Sequence, residues 1–116
     1  MIKPNDYKLD SPEWVMAKFF SCWKRRAWSQ MLSYVQPSWV AKHEDPNRVL
    51  RQSLQGLVDV DFIQRNATTG VVAVYLMNIH RKLYTITVQS TQTVRLVREG
   101  RKWGIDPTYL IAWVTP

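Results

Sequence analysis

Residues 71–105 read VVAVYLMNIHRKLYTITVQSTQTVRLVREGRKWGI, and this stretch decides the fold. β-branched and aromatic residues recur through it in runs, a composition that suits pleated, half-buried strands. No proline falls between Asn47 and Asp106, so nothing interrupts a backbone ladder there. The pattern predicts a strand over residues 71–79, a tight reversal at Arg81 and Lys82, a third strand over 83–98 and a turn over 99–102. The third strand exceeds the usual length, so a bulge or bend is expected within residues 89–93. Residues 103–111 read as a last strand, bent at Pro107. Upstream, Val58, Val60 and Phe62 alternate with Asp59 and Asp61, which describes a half-exposed strand with its carboxylates toward water. Residues 66–70 form the turn after it.

The first half of the chain has helical punctuation. Ser11 can cap free N–H groups, Pro12 fits the first helical position and Glu13 favours the positive helix end. Met16, Phe19, Phe20 and Trp23 then follow the i, i+3, i+4, i+7 pattern, and Trp28, Met31, Leu32 and Val35 repeat it. The second set is about a third of a turn out of phase with the first, at about 100° per residue. One straight helix cannot bury both, so a bend or break is expected over residues 25–28. Pro37 closes this segment, residues 39–44 read as a connection, and Asp45-Pro46 opens another helix with Val49, Leu50 and Leu54 on its apolar side. Gly56 is placed to end it.

At 116 residues, one core is expected and a second is not, so residues 1–116 read as a single domain with residues 1–10 as an N-terminal extension. The single cysteine, Cys22, has no disulfide partner and no set of companions for a structural zinc site. No cofactor or metal is expected. No run approaches the roughly 20 apolar residues that span a bilayer, and no signal-peptide core opens the chain, so the expectation is a cytoplasmic protein or the soluble part of an anchored one. The net charge of +7 invites a nucleic-acid reading, but the excess is shared between the two halves. Arg25, Arg26, Arg81, Lys82, Arg101 and Lys102 are its candidate residues, and a solvated rim is the plainer explanation for such clusters.

Helices followed by a meander of four strands make an α+β plan, with helices on one face of an antiparallel sheet. Two stretches add a family resemblance. Residues 20–32 pass from an aromatic helix through Arg25-Arg26-Ala27-Trp28 into a second helical piece. Residues 96–105 form a hairpin that ends in Gly100, Arg101, Lys102, Trp103, Gly104 and Ile105. With the order of elements, these resemble the NTF2-like superfamily, the group of SnoaL-like cyclases and ketosteroid isomerases. The resemblance implies a cone: bent N-terminal helices packed on a curved four-stranded sheet, with a cavity that is either filled or open to a small hydrophobic ligand. It also implies dimers through the outer sheet face, where Thr85, Thr87, Gln89, Thr91 and Thr93 share one side of the third strand.

In isomerase-like members the general base lies between the helical pair and the next helix. Asp45 occupies that segment here with His43 beside it, and a carboxylate there could abstract a proton inside an apolar pocket. Helix capping alone also selects Asp before Pro. His80 reads as a solvated turn residue. Trp23, Trp28 and Trp103 read as core, whereas Trp14, Trp39 and Trp113 lie near element ends; Trp14, Trp39 and Tyr75 are the candidates for ligand contact. No Ser-His-Asp set, phosphate loop or metal spacing is present. The leading expectation is a noncatalytic binding or assembly module, self-associating as a homodimer or larger assembly. A SnoaL- or isomerase-like enzyme or ligand carrier is the alternative, and a nucleic-acid or anionic-surface binder is third.

Overall fold

A computed structural model describes residues 2–112. Helix α1 (Pro12–Lys24) starts where the punctuation places it: Ser11 Oγ accepts from the Trp14 N–H at 3.2 Å. It ends in a Schellman motif, with Ala27 N–H on the Cys22 carbonyl at 2.8 Å and Arg26 N–H on that of Trp23 at 3.0 Å. That motif needs a left-handed residue, and Arg26 supplies it at φ 59. The break separates the two apolar stripes as their phase requires. Met16, Phe19 and Phe20 are fully buried from one side, and Met31 and Val35 from the other. Helix α2 (Trp28–Met31) runs on into a 3-10 turn over Leu32–Tyr34.

Residues 39–44 are not simply a connection, because Pro37 opens a short helix, α3 (Pro37–Ala41), instead of only closing the segment before it. Helix α4 (Pro46–Ser53) follows, and its N-cap is Asp45, whose carboxylate accepts from the Arg48 N–H at 3.2 Å. Gly56, at φ 80, then redirects the chain into the sheet.

Strands β1 (Leu57–Thr68), β2 (Val72–Leu83), β3 (Ile86–Glu99) and β4 (Lys102–Ile105) form one antiparallel sheet in the order β1-β2-β3-β4. The four-stranded α+β plan therefore holds, with five α-helices among the described residues. Three details differ from the sequence reading. The reversal after β2 is not at Arg81 and Lys82, which remain in the strand opposite Val88 and Thr87; it is at Tyr84, with φ 56, and Thr85. Lys and Arg carry no turn preference, and a Leu83–Ile86 closing pair outweighs their charge. β3 has no bulge, since its register with β2 runs unbroken from Val72↔Val97 to Leu83↔Ile86. The irregularities lie in β1, at three register shifts, where an edge strand tolerates them. One of these leaves Val58 exposed while Val60 is buried, so the strict alternation expected there is lost. Finally, the last strand ends at Ile105. Asp106 caps helix α5 (Pro107–Ala112) through the Thr108 N–H at 3.0 Å, so Pro107 starts a helix and does not bend a strand.

The core lies between the helices and one sheet face. Ala73, Tyr75, Met77 and Ile79 of β2 and Val94 and Leu96 of β3 meet Phe19, Phe20, Leu50 and Leu54 there. Val35 bridges Ile105 alongside β4, and Gly104 permits the approach: a Cβ on it would lie 2.6 Å from the Gln36 nitrogen. Two buried acids are paired, Glu13 with Arg65 and Asp106 with Arg95 at 2.8 Å. No helix among the described residues is long and apolar enough to cross a membrane.

Candidate functional site

The α1–α2 break and the end of α4 face the start of β1 across a groove of about 500 Å³. Trp23, Lys24, Arg26, Trp28, Arg51, Gln55 and Val58 line it with Leu54, Gly56 and Leu57, and no carboxylate is among these residues. Local chemistry accounts for each position. The left-handed turn at Arg26 ends α1, so Trp23 and Lys24 on its last turn and Trp28 at the start of α2 meet at one corner. Arg51 reaches them from α4, its guanidinium 5.0 Å from the centre of the Trp28 ring. A cation held over an indole is positioned without being neutralised. Trp23 and Trp28 are only half-buried, which corrects the reading of both as core residues. Their helical stripe carries them to the rim of the core, where one side packs inward and the other is wet.

A second hollow, of about 840 Å³, continues from this groove over Gln52, Gln55 and Gly56 to Arg81, Lys82, Leu83 and Tyr84. The junction is tied by hydrogen bonds. Lys82 N–H donates to the Gly56 carbonyl at 2.7 Å, and Arg81 donates to the carbonyls of Ser53 and Gln55 at 3.4 Å each. A Cβ at Gly56 would stand 3.0 Å from the Lys82 carbonyl oxygen. Tyr84 projects from the hairpin tip and is 99% exposed.

Of the sequence's basic candidates, the fold thus brings Arg26, Arg81 and Lys82 onto one band and leaves the others outside it. Arg25 is exposed and donates to the Cys22 sulfur at 3.6 Å. Arg101 and Lys102 line a different hollow of about 390 Å³ with Trp14, Tyr34, Trp103 and the acidic Asp10. Sequence reasoning missed Trp23, Lys24, Trp28, Arg51 and Tyr84 as site residues. The hydrophobic pattern of α4 fixed only its buried side, and a tyrosine at a turn carries no signal beyond its exposure.

The remaining candidates have structural roles. Asp45 is exposed at the α4 N-cap, bonded to the helix it starts; the apolar enclosure that a base would need is absent around it. His43 stacks on Trp39 at 4.0 Å, and its Nδ1 lies 2.8 Å from the Trp39 carbonyl oxygen. Trp39 itself is buried. Trp14 meets Tyr34 edge to face at 5.9 Å, beneath the Lys18 ammonium. His80 is not in a turn; it lies within β2, and its Nε2 is 3.0 Å from Asp61. Tyr75 is wholly buried, and that burial raises its phenol above the ordinary pKa. Trp113 lies outside the described residues. Among the described residues, no group of three or more His, Cys, Asp or Glu could hold a metal ion.

These features define an α+β domain with a basic, aromatic-lined groove. No protein-family model matches the sequence, and no curated protein matches it. In structure the chain is similar to a SEC-C motif containing protein from Rhodopseudomonas palustris solved in solution, with a TM-score of 0.68 and 8% identity over 88% of this chain and 80% of that one. At that identity the likeness concerns the fold alone. It overturns the resemblance to the NTF2-like superfamily, since the neighbour is a SEC-C motif protein and nothing in the sheet or helices is particular to the NTF2 cone. The order of elements is shared by many α+β folds, and the Gly100 hairpin meets a local turn requirement, with φ 66, that any such chain must satisfy.

Proposed function

We propose that this domain is a noncatalytic binding module that holds single-stranded nucleic acid along the band from Trp23 and Trp28 to Tyr84. One observation carries the reading: Lys24, Arg26 and Arg51 share a groove with two half-buried indoles, and no carboxylate lines it among the described residues. Cations in such a groove track phosphates, and indoles offer faces on which bases stack whatever their identity. Arg51 adds a planar guanidinium over Trp28, itself a surface for stacking. The band continues to Arg81, Lys82 and Tyr84, so several nucleotides find the same chemistry in sequence. The charges that favoured this reading least in the primary sequence, because they are spread along it, support it once folding has gathered them.

The test is fluorescence anisotropy with a short labelled oligothymidylate across a salt series. With Lys24, Arg26, Arg51, Arg81 and Lys82 engaged, log K is expected to fall against log salt with a slope of about −3.5, near 0.7 for each phosphate neutralised. Trp28→Ala is expected to weaken binding by about 1–3 kcal/mol at every salt concentration, as loss of one stacking platform does. Binding that is absent at low salt, or indifferent to Trp28, would overturn the proposal.

A further inference from the structure

Strand β3 has an edge along which no described element pairs from Ile86 to Thr91. β4 pairs with it only from Leu96 to Glu99, and the Asp106 N–H adds one bond to the Arg95 carbonyl at 2.8 Å. From Ile86 to Thr91 every residue is exposed, and no described element pairs on that side. The direction of the free groups follows from two bonds. Arg95 uses its carbonyl toward β4, and Arg98 uses its N–H toward the Val71 carbonyl at 2.8 Å on the β2 side. Backbone groups of alternate residues point to opposite edges, so those of Thr87, Gln89 and Thr91 face outward.

Natural sheets blunt such an edge with lysine, proline or a bulge. This one has none of these. Residues 83–94 contain no charged residue and no proline, and the register with β2 is unbroken. In a chain of net charge +7, two copies repel wherever basic surfaces meet, and an uncharged edge is where they can approach. We infer that two copies of this chain pair antiparallel through the β3 edge, with the two-fold axis at Gln89. Thr87 then lies opposite Thr91 of the other copy and Gln89 opposite itself. The outward groups of these residues form roughly six backbone hydrogen bonds. Thr–Thr pairs and facing Gln side chains are favourable cross-strand neighbours, and no like charges are opposed. The two four-stranded sheets become one continuous sheet, an isologous arrangement that closes on itself. The groove described above takes no part in it.

Sedimentation analysis of the full chain tests the pairing. The expectation is a monomer–dimer equilibrium at roughly 10–100 μM, corresponding to a modest association free energy. Gln89→Pro removes an N–H that points to the free edge and breaks no internal ladder bond, so the fold is kept while dimerisation weakens at least tenfold. Should that variant lose its circular dichroism, the pair Thr87→Lys and Thr91→Lys places four cations on the seam and gives the same readout. Leu76→Lys, on the open sheet face, leaves the dimer intact. Hydrogen exchange at the amides of Thr87, Gln89 and Thr91 slows as concentration rises. A chain that stays monomeric at millimolar concentration, a dimer unaffected by both edge variants, or one abolished by Leu76→Lys overturns the inference.

Discussion

Arg26 sits in left-handed geometry at φ 59, where glycine is the usual occupant of a helix C-terminus. An L-residue there is destabilising by roughly 1–2 kcal/mol, and the same side chain lines the basic groove. Strain retained at a surface position is consistent with a role that glycine could not fill. Arg26→Gly is therefore expected to raise stability to urea by about 1 kcal/mol and to lower the salt slope of oligonucleotide binding by about 0.7. Glu99 provides a second residue-scale test. Its carboxylate accepts from the Ser38 hydroxyl at 2.6 Å, the Ser38 N–H at 2.9 Å and the Gln36 amide at 3.1 Å, tying the start of α3 to the end of β3. The Ser38 hydroxyl, then Gln36, then the Ser38 N–H hold its pKa below the ordinary glutamate range. A depressed carboxylate stabilises the fold above its unfolded pKa and loses that contribution as pH falls through the folded one. Glu99→Gln should therefore lower the melting temperature at pH 7, with the gap to the parent protein closing as acid protonates Glu99.

At the scale of elements, legibility followed the length of the periodic signal. α1 and its break near residue 26 were plain because two apolar stripes out of phase cannot share one straight helix. The Asp45-Pro46 start of α4 was plain for its capping chemistry. What failed was short or two-faced. Pro37 reads equally as a stop and as a first helical residue, and α3 has only five residues with which to declare itself. Pro107 posed the same ambiguity, resolved by the buried Asp106 cap and its Arg95 partner, which lie eleven residues apart in the chain and give no local pattern. The hairpin tip was misplaced because a left-handed tyrosine is invisible to turn rules written around glycine and asparagine. Gly104, by contrast, was read only as part of a motif, although its role is steric. Gly104→Ala would drive a Cβ to 2.7 Å from the Val35 carbonyl carbon, and the backbone there cannot give way as a side chain would. A loss of about 2–3 kcal/mol on chemical denaturation is expected, in the range for an overpacked core position.

For the whole molecule, the fold class was legible and the site was not. Composition and alternation specify four strands after a set of helices, yet the partners across the groove lie on α1, α2, α4 and the β2–β3 hairpin, and only the tertiary fold puts them side by side. Spread charge in the sequence was therefore a poor guide to local charge on the surface. The family resemblance failed for a related reason, because it rested on the order of elements, which several unrelated folds share. The groove and the hollow at Arg101 and Lys102 both contain tryptophan and cations, so they make distinguishable sites for the same probe.

The most direct measurement is the set of indole N–H resonances in a two-dimensional NMR titration with oligothymidylate at low salt. The indoles of Trp23 and Trp28 should shift together and saturably, while those of Trp14 and Trp103 stay in place. Movement of Trp14 and Trp103 without the other pair, or no movement at all, would contradict the assignment of the groove as the binding surface.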